Sequence, residues 1–380
     1  MKKLLRINTL TLFKVWLEFN YLSACKKNYL TEIFGNLELL LKISPPQVKY
    51  TLIDKNKGLF RQSIPIKKIK RTFEFDVRYV KNSENIFLFE IVSGPLKKSS
   101  INIVFQENNE KTDINIKLNL KLGLKYKFFS SIIAEKLKST NLALIKRLEN
   151  LSNLLFNDKI PISFENNYST LILQINSDKK IFFDGWWLGD ILSAFIGKVY
   201  EKLDFRDKII IDVGSNIADS SIYFALNGAK KVIGLEPFPK NFHFGRENIK
   251  KNSLEEKIDL FLSGCSSKSE EIQIDPNLSG LSYKMEHVDH GEKIIQITLT
   301  EICNNYNIVD GVLKMNCEGC EYDVILRTPD ITLKKFSQIL IQYHDGAENL
   351  IEKLTKIDFK VIEEKYSNKK GQIFATLHKI

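Results

Sequence analysis

The densest chemistry in this 380-residue chain lies in Ile209-Ile210-Ile211-Asp212-Val213-Gly214-Ser215-Asn216-Ile217-Ala218-Asp219. An apolar run enters a glycine-containing turn, and a helical pattern follows. Gly214 would let a ligand approach the backbone closely. The helix N-terminus beyond it would offer unpaired amides. Asp219 is suited to cap that helix and Gly228 to end it. After the next apolar run stands Glu236, 24 residues beyond Asp212. A carboxylate at that strand end is placed to accept both hydroxyls of a ribose. Pro237 and Pro239 then stiffen the turn. The full GxGxxG spacing is missing, so the signal rests on turn, carboxylate and strand order together.

The elements that must position these groups read clearly from Lys208 onward. Short apolar runs predict strands at Ile209–Val213, Lys231–Leu235, Ile258–Leu262, Val312–Asn316, Gln338–Tyr343, Phe359–Glu363 and Gln372–Leu377. Helical spacing falls near 219–227, 240–251, 299–306 and 320–327. This alternation predicts an α/β fold with a doubly wound, mostly parallel sheet of seven strands. The last two strands are joined by 364–371, too short for a crossover helix, and should form an antiparallel hairpin.

Upstream the pattern differs. Leu10, Phe13, Trp16, Leu17 and Tyr21 fall at helical spacing and predict a helical segment over 1–45, closed by Pro45-Pro46. Strict alternation, as in Phe73, Phe75, Val77 and Tyr79 or in Ile114, Ile116, Leu118, Leu120 and Leu122, predicts a β-rich, sandwich-like domain over 46–126. A connector over 127–186 should hold a helix pair at 128–156 and a β-hairpin at 160–183. Trp186-Trp187 then precedes a helix over 191–203 with Asp190 as its cap. The tryptophans suit either a sugar-stacking platform or boundary packing. The final domain spans 187–380.

Composition is that of a globular chain, with 43% hydrophobic and 27% charged residues. The net charge of +10 is unevenly spread. Residues 1–180 hold 31 basic and 16 acidic side chains, net +15, leaving 25 and 30, net −5, for the rest. A basic half suits an anionic partner or a solvated lysine-rich surface. The five cysteines, odd in number and scattered, predict reduced thiols and a cytoplasmic setting. Cys317 and Cys320 form a lone CxxC, short of a zinc site and open to a redox role. The longest apolar stretch, Thr9–Ala24, is broken by Lys14 and Glu18, so neither a spanning helix nor a secretory signal is expected.

Four segments together resemble the FkbM family of S-adenosylmethionine-dependent methyltransferases: 211–231, Gly234-Leu-Glu-Pro-Phe-Pro239, Leu313-Lys-Met-Asn-Cys-Glu-Gly-Cys-Glu-Tyr-Asp323 and Ile341-Gln-Tyr-His-Asp-Gly346. The resemblance covers 187–380 and implies a class I, Rossmann-like methyltransferase sheet with an antiparallel last strand. It also implies O-methylation of a sugar or related polyol. Carried over, Asp212, Gly214, Ser215, Asn216, Ala218 and Asp219 look like the loop around the cofactor's methionine part, and Glu236 with Pro237 like the ribose end. Ser263 and Gly264, followed by Cys265, fall where the adenine ring would lie. Asn316 belongs to the fourth-strand motif. The chain departs from the family pattern with Ala218 for Gly, Asn316 for Asp and Gln342 for Glu.

For the transfer itself, a base must take the acceptor's proton, and Glu318, His344 and Asp345 at strand ends are the candidates. The ordinary pKa of histidine favours His344. No divalent-metal constellation is present. His287 and His290 lie in the insertion between the third and fourth strands, where acceptor contacts are usual. The expected partner is a small-molecule or glycan acceptor, an anionic one included, and contact with a membrane surface stays open. The three departures motivate an alternative: a catalytically impaired protein acting as a glycan-binding or assembly module. A nucleic-acid methyltransferase is disfavoured by the lack of an Asn/Asp-Pro-Pro-Tyr motif and of stacking aromatics.

Overall fold

A computed structural model describes residues 13–42, 49–54, 56–66, 70–156, 162–166, 169–176, 179–197, 199–276 and 291–378. The chain divides into two compact units, Met1–Ser163 and Phe164–Ile380, rather than the four segments expected. No helix among the described residues is long and apolar enough to cross a membrane.

In the first unit, β1 (Phe13–Ser23), β2 (Lys49–Asp54), β3 (Leu59–Ile66), β4 (Arg71–Ser83), β5 (Ile86–Ile91), β6 (Ser100–Asn108) and β7 (Lys111–Leu122) form one seven-stranded antiparallel sheet, ordered β1-β7-β6-β5-β4-β3-β2. The helices are α1 (Lys27–Phe34), α2 (Leu37–Lys42) and α3 (Ser130–Phe156). Alternation buries Ile103, Phe105, Ile114, Ile116 and Leu118, while Leu30, Phe34, Ile145 and Leu148 are buried from the helices. The Phe34 ring lies 4.9 Å from Phe87 and 5.2 Å from Phe105.

Three sequence expectations are corrected here. Residues 13–23, read as helical, are β1, paired with β7 from Phe13↔Leu122 to Ser23↔Thr112. Phe13, Trp16, Leu17 and Tyr21 fit a helical stripe, but Phe13, Val15, Leu17, Phe19 and Tyr21 also alternate. The ladder to β7 pairs backbone groups along eleven residues that a lone amphipathic helix would satisfy only internally. Trp16 is consequently 71% exposed. Leu10 lies outside the described residues. The sandwich is instead a single sheet whose second layer is helical. The helix pair at 128–156 is one 27-residue helix, α3, because nothing between Ser130 and Phe156 breaks it.

In the second unit, β8 (Ile162–Glu165), where the chain passes between units, β9 (Thr170–Asn176) and β10 (Lys179–Asp184) form a small sheet ordered β10-β9-β8. Then follow α4 (Leu188–Phe195), β11 (Ile209–Val213), α5 (Asp219–Leu226), β12 (Lys231–Glu236), α6 (Pro239–Lys251), β13 (Ile258–Cys265), β14 (Glu270–Ile274), β15 (Glu292–Ile297), α7 (Leu299–Asn305), β16 (Gly311–Met315), α8 (Cys320–Arg327), α9 (Asp330–Leu333), β17 (Phe336–Tyr343), α10 (Glu348–Lys356), β18 (Phe359–Lys365) and β19 (Gly371–Leu377). The main sheet has nine strands, not seven, ordered β14-β15-β13-β12-β11-β16-β17-β19-β18. The extra pair, β14 and β15, comes from the stretch read as an insertion.

The pairs β11–β12, β11–β16, β12–β13 and β16–β17 are parallel, and β19 runs antiparallel between β17 and β18. Both faces of the parallel strands are covered, so they read as near-continuous apolar runs. Ile211, Val213, Ile233, Leu235, Leu313, Met315, Ile339 and Ile341 share one buried core. Asp190 lies in the first turn of α4 instead of capping a helix, since α4 starts at Leu188 after Trp187. Trp186 is buried with its ring 5.2 Å from Phe164, which removes it from any exposed platform.

Candidate active site

The site grows from the turn after β11. Gly214 takes φ +74°, and a Cβ there would fall 2.1 Å from the carbonyl oxygen of Asn316. Only glycine fits both the conformation and the contact. Asn216 and Ala218 also adopt left-handed φ, 51° and 65°. Ala218 thus holds a conformation that glycine reaches freely, at about 1 kcal/mol. Lys314, the fourth residue of β16, clamps the turn. Its Nζ lies 2.7 Å from Asp212 Oδ1, and it donates to the Gly214 carbonyl at 3.0 Å. Ser220 and Ser221 hydroxyls donate to Asp212 Oδ2 at 2.7 and 2.6 Å. Asp212 is fully buried, a structural anchor for the turn.

Glu236, the last residue of β12, reaches back under the same turn. Its Oε2 accepts from Asn216 N at 2.9 Å, and its Oε1 from Phe238 N at 3.0 Å and Asn241 Nδ2 at 3.4 Å. Burial pushes its carboxyl up to about 7, against those bonds, which favour the charged form. Asp219 and Asp190 are raised too, each first by burial and Asp219 next by the charge of Asp190. Asn216 Nδ2 donates to Asp190 Oδ2 at 3.3 Å.

The second cluster follows β16 and β17. Glu318 adopts φ +54° and Gly319 φ +125°, turning the chain into α8. His344 is wedged between two carboxylates, with Nε2 3.2 Å from Glu318 Oε1 and Nδ1 2.9 Å from Glu321 Oε1. Buried Glu321 also accepts from Gly319 N at 2.8 Å. Burial alone would lower the histidine pKa, but the two carboxylates outweigh it and raise it to about 9. His344 is therefore an imidazolium at neutral pH. This reverses the expectation drawn from its ordinary pKa, and the Glu318 carboxylate faces the imidazolium. Cys317 and Cys320, expected as thiols, are joined in a disulfide across this turn. The tight turn at Glu318-Gly319 brings residues three apart together. Cys25, Cys265 and Cys303 are free and buried.

Both clusters line one cavity of about 540 Å³ at the carboxyl edge of β11, β12, β16 and β17, a volume suited to a cofactor-sized ligand. Open α/β sheets bind ligands at this edge. Two amide oxygens, Asn216 Oδ1 and Asn316 Oδ1, are buried there without a hydrogen-bond partner among the described residues.

The sequence profile of the methyltransferase FkbM domain matches residues 212–375. Residues 212–375 form an FkbM methyltransferase domain. Protein 158B of Sulfolobus islandicus rod-shaped virus 1, described as uncharacterized, is 30% identical over 159 residues, 42% of this chain and 74% of its own length. The ribosomal protein L11 methyltransferase of Hamiltonella defensa subsp. Acyrthosiphon pisum (strain 5AT) is 33% identical over 69 residues, 18% of this chain and 23% of its own. Among solved structures, the ZhuI aromatase/cyclase from Streptomyces sp. R1128 aligns with a TM-score of 0.32 and 10% identity over 37% of this chain and 94% of that one. A START superfamily protein from Mycobacterium smegmatis aligns at 0.30 and 16%, over 36% and 98%.

Within the FkbM domain, the cavity wall includes Gly214, Asn216, Asp219, Glu236, Pro237, Asn316, Glu318 and His344. Asp212, Ser215 and Ala218 lie buried behind it. Ser263 and Gly264 do not follow the third strand. They belong to β13, paired with Ile295 and Gln296 of β15, and Ser263 Oγ donates to the Ile295 carbonyl at 2.6 Å. Asp345 points elsewhere and pairs with Lys369 at 2.6 Å. His287 and His290 lie outside the described residues. Sequence reading did not assign Asp190, Tyr200, Asn241, Lys314, Gln372 or Lys370 to the site, yet all line the cavity. Lys314 carried a signal, as a lone cation within an apolar strand. The others come from elements distant in sequence.

Proposed function

We propose that the C-terminal unit is an S-adenosylmethionine-dependent O-methyltransferase acting on a hydroxyl of a sugar, glycan or related polyol. One observation carries this reading: the Gly214–Asn216–Glu236 turn and the Glu318–His344 pair line the same cavity. The strand order β13-β12-β11-β16-β17-β19-β18, with β19 reversed, supports a class I arrangement, to which β14 and β15 are an addition.

The residues suit the cofactor. Gly214 leaves room where any side chain would strike Asn316. The unpartnered Oδ1 atoms of Asn216 and Asn316 offer acceptors for a cationic ligand, and Glu236 offers a carboxylate to ribose hydroxyls. When bound, S-adenosylmethionine supplies an electrophilic methyl group on a sulfonium. The chain's own part is to orient the acceptor and remove its proton. Glu318 Oε takes that proton, because His344 already carries one. The imidazolium fixes the Glu318 carboxylate and tempers its charge. The amides Asn316 and Gln342 orient hydroxyls without adding charge.

The test is calorimetric titration of the chain with S-adenosylmethionine, with Glu236→Ala as control. Binding that weakens at least tenfold in the control supports the reading and opens an acceptor screen of sugars and glycolipids. No binding at millimolar cofactor overturns it. Asn316 and Gln342, neutral where the family has acids, favour a second reading, a cofactor-binding module without turnover. Binding without methyl transfer to any acceptor would select it.

A further inference from the structure

We propose that the Cys317–Cys320 disulfide is a redox-sensitive positioning device for the proton acceptor: it holds Glu318 against His344, and its reduction releases that pair. The proposal rests on the methyltransferase reading for its consequence, though not for its geometry. The disulfide brackets only Glu318 and Gly319. Both take left-handed φ, +54° and +125°. Glycine reaches that region freely, but Glu318 does so against its Cβ, so a covalent clamp on either side bears directly on its conformation. Cys317 itself lines the cavity beside Glu318 and His344. Cys317 and Cys320 are half-buried rather than buried residues.

A second contact couples the sulfur to the histidine. Cys317 Sγ lies 3.3 Å from Glu321 Oε2. The other oxygen of that carboxylate holds His344 Nδ1 at 2.9 Å. A disulfide sulfur has no hydrogen to donate. In the reduced chain, the Cys317 thiol would donate one to Glu321 and compete with the histidine for its charge. The step balances as a dithiol–disulfide exchange. A reducing dithiol gives two electrons and two protons, the S–S bond breaks into two thiols, and the donor leaves as its own disulfide. Reduction thus loosens Glu318 through its backbone and His344 through Glu321.

The experiment follows the His344 ring by NMR titration of the full chain, equilibrated with oxidised glutathione or with excess dithiothreitol. His344→Gln identifies its signal among the five histidines, and thiol alkylation with mass measurement reports the state of each cysteine. Oxidised protein should titrate near 9. Reduced protein should titrate at least one unit lower with its fold intact by circular dichroism. Cys317→Ser/Cys320→Ser should match the reduced form even in oxidised glutathione. A purely structural crosslink would leave the titration unmoved, and that result, or free thiols at both positions under oxidised glutathione, overturns the proposal. A redox-dependent titration in a chain that fails to bind S-adenosylmethionine would keep the coupling and reject the methyltransferase reading.

Discussion

Lys314→Met tests the reasoning behind the cofactor turn most severely. Lys314 Nζ and Asp212 Oδ1 are 2.7 Å apart with side chains 5% and 0% exposed. Methionine keeps the aliphatic volume and removes the cation, leaving a buried carboxylate with only two serine hydroxyls. Breaking a buried pair from one side costs about 3–5 kcal/mol. That corresponds to a roughly 10²- to 10⁴-fold rise in the opening equilibrium of this unit. Hydrogen exchange monitored by mass spectrometry on peptides from β11 and β16 reads this unit by itself, which matters in a two-unit chain where no single unfolding midpoint is defined. Lowering the pH should recover part of the loss in the variant, because an unpaired buried carboxylate takes up a proton. Asp212→Asn/Lys314→Met should recover more, since neither charge remains. Less than a tenfold rise in exchange, or no recovery in the double variant, would refute the view that this ion pair anchors the turn.

Stability of the C-terminal unit should fall steadily as pH rises from about 5 to 9, read as hydrogen-exchange protection of its core-strand peptides after correction for the intrinsic pH dependence of exchange. Glu236 is raised to about 7, so its native form is favoured when protonated and that advantage is lost as pH climbs through 7. His344, raised to about 9, stabilises fully below its ordinary pKa and ceases to do so as pH passes 9. Both act with the same sign, and His344→Gln should flatten the alkaline part; a flat or rising profile contradicts these assignments. In the first unit, Leu148→Ala should cost about 2–5 kcal/mol, since Leu148 is fully buried on α3. Trp16→Ala, on the solvent face of β1, should change stability by about 0.5 kcal/mol or less. Comparable losses for the two would refute the placement of β1.

The FkbM half was legible because its strands are buried on both faces and its turns punctuate them. Every strand from β11 to β13 and β16 to β19 coincides with an apolar run, and α5, α6, α7 and α8 fall at their spacings. Gly214, Glu236, Glu318 and His344 could be singled out because glycine, acids and histidine at strand ends mark that edge whatever surrounds them. Sequence alone did not yield β14 and β15, whose five and six residues carry weak alternation. Nor did it assign β1 to a sheet, because its apolar residues satisfy two periods at once. The edge of β7 decided between them.

What the sequence by itself determined about this protein is where the chemistry lies: the parallel strands of the C-terminal unit in chain order, the turns that follow them and the residue types at the strand ends. What only the tertiary structure decided is the state of those groups. Asp212 looks like a ligand-facing acid until Lys314, 102 residues away, is seen to consume one oxygen. His344 looks like a base until Glu318 and Glu321 are found on both ring nitrogens. Charge state depends on burial and on neighbours within about 4 Å. Folding brings those neighbours together from strands that sequence order keeps apart.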